Sequence, residues 1–151
     1  MNTTPINFKD AWLKSQNVLL QITSGFGFNE AESGQILQEV KGNMNSEAGK
    51  MEEMSPRLWL AKKVVRQCVF IVSKDMFMST PANGSPRHVF MKSPFLQSYD
   101  IHATGQMGLA TWTTYLLVDI IGFNDLEAAI ILNVHPFKLR EQLIIARGLV
   151  A

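Results

Sequence analysis

Gly122-Phe-Asn-Asp-Leu-Glu-Ala-Ala-Ile-Ile-Leu-Asn-Val-His-Pro-Phe-Lys-Leu-Arg-Glu-Gln-Leu-Ile-Ile-Ala-Arg147 is the stretch that decides how this chain reads. Asn124 carries the kind of side-chain acceptor that caps a helix N-terminus, and Glu127 three positions on completes a capping-box start. Ala128, Ala129 and Leu132 supply the apolar side of this first helix. Asn133 stands where the chain must turn sharply, and after glycine asparagine best tolerates a left-handed backbone. Pro136 restarts a helix at its first position, where the missing N–H removes no hydrogen bond. Leu139, Leu143 and Ala146 recur at spacings of four and three, so with Val134 they predict one buried stripe. Lys138, Arg140 and Gln142 fall off that stripe. Two short helices around a tight turn form the helix-turn-helix pattern, whose second helix enters a DNA groove and carries its contacts on such an outward face. The same periodicity also fits an amphipathic hairpin that closes an all-α domain, and spacing alone does not separate the two.

Upstream, the pattern predicts three longer helices. The first runs from Phe8 to about Ser24 with Trp12, Val18, Leu19 and Ile22 on its apolar face. The second runs from about Asn29 to Asn43, with Asn29 as cap and Glu30 and Glu32 at the positive end of the helix dipole. Gly34 weakens its middle by ~1 kcal/mol relative to alanine. Gly42 to Met54 reads as a polar connection, after which Ser55-Pro56 supplies a cap and a first-turn proline for a helix reaching Phe77. Pro81, Gly84, Pro86, Pro94 and Gly105 then give linker chemistry to residues 79–105. Val89, Phe90, Met91, Phe95 and Leu96 are too apolar for a purely solvated tether, so part of this stretch is expected to pack on a domain or a partner. The expected architecture is all-α: a helical N-terminal domain over 1–78, a Pro/Gly/Ser-containing linker over 79–105, and a helix-turn-helix domain over 106–151.

At 151 residues and 46% hydrophobic content the chain suffices for one core or two small ones. A net charge of +1 decides little, but its distribution is uneven: residues 29–53 hold six acids against two bases, and residues 55–75 hold five bases against one acid. The acidic block suits a protein-facing or solvated surface and the basic block a phosphate-facing one. No apolar run approaches the ~18 residues that span a bilayer, and Met1-Asn-Thr-Thr-Pro lacks the charged-then-apolar pattern of a secretory signal. A cytoplasmic location without membrane insertion is expected.

Cys68 is the single cysteine, set in the apolar context Val69-Phe70-Ile71-Val72, and reads as a small buried residue that forms no internal disulfide. His88, His102 and His135 lack metal-ligand spacing. The sequence offers no Gly-rich phosphate loop, nucleophile elbow or compact carboxylate pair on an apolar face, so catalysis, metal and cofactors have no residues to rest on.

Gly122-Phe-Asn, Glu127-Ala-Ala-Ile-Ile-Leu-Asn-Val, Lys138-Leu-Arg, Leu143 and Ala146-Arg147 together resemble the C-terminal domain of small bacterial sigma factors of the extracytoplasmic-function type. That family runs Gly-Phe/Tyr-Ser, Glu-Ile-Ala, Leu-Gly-Val, Thr-Val-Arg, Leu and Ala-Arg at the same offsets. Tyr115-Leu-Leu-Val-Asp-Ile-Ile resembles the helix leading into that motif, so the likeness runs without a gap through 115–147. In the N-terminal half, Gln38-Glu39-Val40 is similar to the family's Gln-Glu-Val signature. Trp59-Leu60 through Arg66-Gln-Cys68 is similar to its Trp/Tyr-Leu…Asn-x-Cys/Ala helix.

The resemblance implies a transcription initiation factor. Gln38 and Glu39 would contact core RNA polymerase; Lys62, Lys63 and Arg66 would face the upstream promoter element and its melted strand; Lys138, Arg140 and Gln142 would read promoter DNA. It also implies an anti-sigma protein as a further partner. The departures are as specific. Arg66, Phe70 and Ser73 stand where the family often carries Asn, Asp and Arg, and its usual Pro and Arg are replaced near Gly108 and Trp112. In the second helix of the motif Glu141 offsets the bases, and Ile144 and Ile145 broaden the apolar face. Each phosphate neutralised adds about −0.9 to the log–log salt slope, so three bases supply modest affinity and polymerase would supply the rest. Two readings stay open: a promoter-directing sigma-like factor, and a degenerate relative that regulates through protein contacts without melting promoters. The outward face of the 136–147 helix separates them.

Overall fold

Apolar residues spaced by three and four wind most of this chain into helix, and the computed structural model describes residues 8–44, 55–78 and 108–150. All regular structure among the described residues is helical. Helix α1 (Phe8–Gly25) buries Trp12, Ser15, Leu19, Ile22 and Thr23 along one side, while Val18 is only half-buried. It ends at Gly25-Phe26-Gly27, where Gly27 turns at φ 89° and Phe26 drops into the core.

Helix α2 (Glu30–Met44) starts on a reciprocal cap: Asn29 Oδ1 accepts from the Glu32 backbone N–H at 2.8 Å, and Glu32 Oε1 accepts from that of Asn29 at 2.9 Å. Ser33, Ile36, Leu37, Val40 and Met44 form its buried stripe. Helix α2 continues past Gly42, where a polar connection was expected, to the buried Met44, and residues 45–54 of that expected connection lie outside the described residues. Helix α3 (Pro56–Met78) opens as expected, with the Ser55 carbonyl accepting from the Trp59 N–H at 3.0 Å and proline in first position. Its buried side, Trp59, Leu60, Ala61, Val64, Val65, Cys68 and Val72, packs against α1 and α2. Each fully buried Leu or Val of this kind contributes about 1.5–3 kcal/mol relative to exposure.

Past the interval, α4 (Leu109–Tyr115) runs directly into a π-helical turn at Leu116–Ile121, then into α5 (Asp125–Leu132) and α6 (Pro136–Val150). Gly122 ends the π turn at φ 104°, a conformation in which a side chain would be strained. Its N–H and that of Phe123 both donate to the Leu117 carbonyl, at 3.1 and 2.9 Å. The predicted linker at 79–105, including Val89, Phe90, Met91, Phe95 and Leu96, lies outside the described residues, as do His88 and His102.

The helices on its two sides share one apolar core, with α3 against α5 and α1 against the π turn. Trp112 is wholly buried, and its indole N–H donates to the Gly25 carbonyl at 2.9 Å. A Cβ at Gly25 would collide with the Leu116 side chain, so the glycine permits this close approach. The Arg57 guanidinium lies 4.4 Å above the Phe123 ring, a further contact between α3 and the segment entering α5. No described helix is long and apolar enough to cross a membrane.

Candidate nucleic-acid interface

Two helices, Asp125–Leu132 and Pro136–Val150, form around a tight turn where the residues predict them. Asn124 Oδ1 accepts from the Glu127 N–H at 2.8 Å and Glu127 Oε1 accepts from the Asn124 N–H at 3.1 Å, a complete capping box on α5. Asn133 adopts the left-handed conformation at φ 55°, ψ 48°, and its N–H closes the end of α5 on the Ile130 carbonyl. His135 caps α6: its carbonyl accepts from the Leu139 N–H at 3.1 Å, and its Nδ1 accepts from the Phe137 N–H at the same distance. That role has no signal in the helix pattern, because histidine is not a common cap residue. Leu139, Leu143 and Ala146 are buried as expected, and α6 lies on α4 and α5. Val134, expected in the same stripe, is 37% exposed, because the turn after Asn133 carries it out to the surface.

The outward face of α6 differs from a row of free cations. Lys138 is exposed. Arg140 is exposed too, but its Nε lies 3.3 Å from Asp125 Oδ2 at the start of α5. Arg147 grips Asp119 of the π turn with two hydrogen bonds, Nε at 2.9 Å and Nη2 at 2.8 Å. The hydrogen bond to the Asp119 carboxylate and its negative charge hold the Arg147 pKa above its ordinary value. Gln142 is half-buried and turned inward, its Oε1 accepting from the Thr111 hydroxyl of α4. Among the exposed positions of α6 are Phe137 at 66%, Ile144 at 70% and Ile145, with Leu126 and Ile130 exposed on α5. Sequence reasoning gave Phe137 no role, although its spacing of seven from Ile144 puts both on one side of the helix.

The N-terminal candidates lie on two helices. Gln38 and Glu39 are exposed on α2, opposite its buried stripe. Lys62 and Lys63 are half-buried and Arg66 is exposed on α3. The Lys63 ammonium lies 5.8 Å from the centre of the Trp59 ring. Lys63 and Arg66 come together with Val40, Asn43, Met44 and Gln67 around a shallow depression of about 160 Å³ between α2 and α3, whereas Lys62 is not among its walls. Cys68 is fully buried, and burial pushes its thiol pKa far above the range in which it would be nucleophilic. Among the described residues no group of three His, Cys, Asp or Glu is placed to hold a metal ion.

No protein-family model matches the chain, and no curated protein matches it. Among solved structures, the chain is similar to that described as CnrH in complex with the cytosolic domain of CnrY, with a TM-score of 0.64 and 16% sequence identity over 95% of this chain and 84% of the matched one. CnrH is a sigma factor of the extracytoplasmic-function type, and at this identity the likeness is one of fold. The chain therefore has, coarsely, the all-α fold of such a sigma factor.

Proposed function

We propose that this protein is a sigma-like transcription initiation factor, which binds core RNA polymerase through the α2 surface at Gln38 and Glu39 and presents α6 to promoter DNA, working in the cytoplasm. The observation that carries the reading is the helix-turn-helix itself, capped at Asn124, turned at Asn133 and restarted at Pro136, with Lys138 and Arg140 on the exposed side of α6. The fold shared with CnrH supports it. In this reading Lys138 acts as a point charge on phosphate, and Arg140 exchanges Asp125 for a guanine edge or a phosphate. Exposed ion pairs are worth about 0–1 kcal/mol, so Asp125 is a weak competitor for that arginine. Lys63 and Arg66 supply a second phosphate-facing patch. The test is a gel-shift series with and without core polymerase: Arg140→Ala should weaken promoter binding at least ~5-fold, from the low end of the energy of a bidentate base contact. Lys138→Ala should act mainly on the salt dependence. Equal binding by both variants and the unchanged chain, at low salt with polymerase present, would overturn the reading.

A second reading is favoured by the exposed Phe137, Ile144 and Ile145 and by the carboxylates on two of the three α6 cations. On it the chain is a degenerate sigma relative that regulates by binding a protein, such as an anti-sigma domain, and does not melt promoters. Substituting Phe137 and Ile144 by Ser separates the two readings. Loss of a co-purifying protein partner with DNA binding intact supports the second, and loss of DNA binding alone supports the first.

A further inference from the structure

The space between α3, α4 and the helix-turn-helix is a groove of about 390 Å³ lined by Val69, Leu109, Thr113, Leu132, Val134 and Leu139, among others. Its two threonines do not make it polar. Thr113 and Thr114 each donate their hydroxyl to a carbonyl one turn back in α4, Leu109 at 2.7 Å and Ala110 at 3.0 Å, so the groups that need partners already have them. Gln142, on the same wall, is engaged by the Thr111 hydroxyl. Lys138 is the charged residue of an otherwise mainly apolar wall, so such a groove favours an apolar segment over a polar one.

We propose that the occupant is this chain's own Val89–Leu96 stretch, with Phe90, Met91, Phe95 and Leu96 as the inserted side chains. The inference does not rest on the sigma-like reading; it rests on what the groove takes and where the chain enters and leaves it. Leu109, on the groove wall, is the first residue of α4 and follows Gly108, so the interval from 79 to 107 ends at the groove. At its other end the interval starts after Met78, nine residues beyond Val69, or about 13 Å along α3. The twelve residues from Leu96 to Gly108 span at most about 40 Å, and the eleven from Met78 to Val89 nearly as much, so both tethers reach without strain. A segment held in this way meets its groove at an effective concentration on the order of millimolar, which an untethered competitor must exceed by affinity. Two aromatic rings, a methionine and a leucine also match the groove's chemistry, burying apolar area without stranding a donor or acceptor. The segment would then lie beside Val134 and Lys138, where the chain enters α6.

The test is methyl NMR on the full chain. Expected are through-space contacts from the methyls of Val69, Leu109, Leu132 and Leu139 to the ring protons of Phe90 or Phe95. In a mixture of methyl-labelled and ring-labelled chains they should be absent. The double variant Phe90→Ser, Phe95→Ser should abolish them and shift those four methyl resonances while helical content stays the same; Leu96→Ser is the milder variant should the double one lose helix. An absence of such contacts in the unchanged chain overturns the proposal, and so do contacts seen only between chains, which would make a second copy the occupant.

Discussion

The indole N–H of Trp112 donates to the carbonyl of Gly25 at 2.9 Å, a buried hydrogen bond between residues 87 positions apart. It joins the last turn of α1 to α4, and the Leu116 side chain fills the space that a larger residue at 25 would take. Trp112→Phe keeps most of the ring but leaves that carbonyl without its donor, at a cost of about 1–3 kcal/mol. Urea unfolding followed by circular dichroism should show the loss in a single transition, because both sides of the junction belong to one core. Protease nicking within 79–105 should leave two fragments that co-elute until denatured. Fragments that separate under native conditions would show that the shared core does not hold the halves together.

Two glycines should respond in opposite directions. Gly122→Ala places a side chain at φ 104° and should destabilise by about 1–3 kcal/mol. Gly34→Ala sits exposed within α2 with nothing near its Cβ position and should stabilise by about 0.5–1 kcal/mol. Denaturant midpoints measured side by side decide it, and a loss of stability at Gly34 would mean that α2 is not helical there.

Releasing the arginines of α6 should change DNA affinity. Asp125→Asn and Asp119→Asn each remove a negative charge and free a guanidinium, Arg140 and Arg147 respectively. If each freed arginine takes up a phosphate, the log–log salt slope steepens by about 0.9 per substitution and low-salt affinity rises. A slope that does not move in either variant would place the arginines away from DNA and favour the protein-binding reading.

Cys68 should be chemically silent in the folded chain. It is fully buried, and burial raises its thiol pKa, so thiolate is scarce at pH 8. A thiol-reactive chromophore should react only when denaturant opens the core, at a rate set by unfolding. Prompt stoichiometric reaction without denaturant would contradict the packing of α3.

What the sequence disclosed was local. Asn124 with Glu127, Asn133 and Pro136 each act through backbone groups a few positions away, and each sits in the structure as its chemistry predicts. The stripe of α6 and, Val18 apart, the apolar face of α1 were legible for the same reason, since a period of 3.6 residues is written along the chain. Contacts between distant segments leave no such trace: nothing near Arg147 announces Asp119, 28 positions upstream, and nothing near Gln142 announces Thr111. The outward surface expected of α6 therefore proved less basic than a count of its residues suggests. Val134 failed for a related reason, because periodicity ignores the reorientation that a left-handed turn imposes on the residue after it.

The π turn at Leu116–Ile121 makes the chain sensitive to number as well as kind. A π turn takes up one residue more than an α-helical turn of the same height. Deleting a single residue there would let the segment relax to an α-helical turn with the downstream helices keeping their direction, whereas deleting one from the α-helical run Leu109–Tyr115 would rotate everything downstream by about 100° about its axis. Losing one codon from the π turn should therefore be better tolerated than losing one from Leu109–Tyr115, where an in-frame deletion would re-aim both helices that follow.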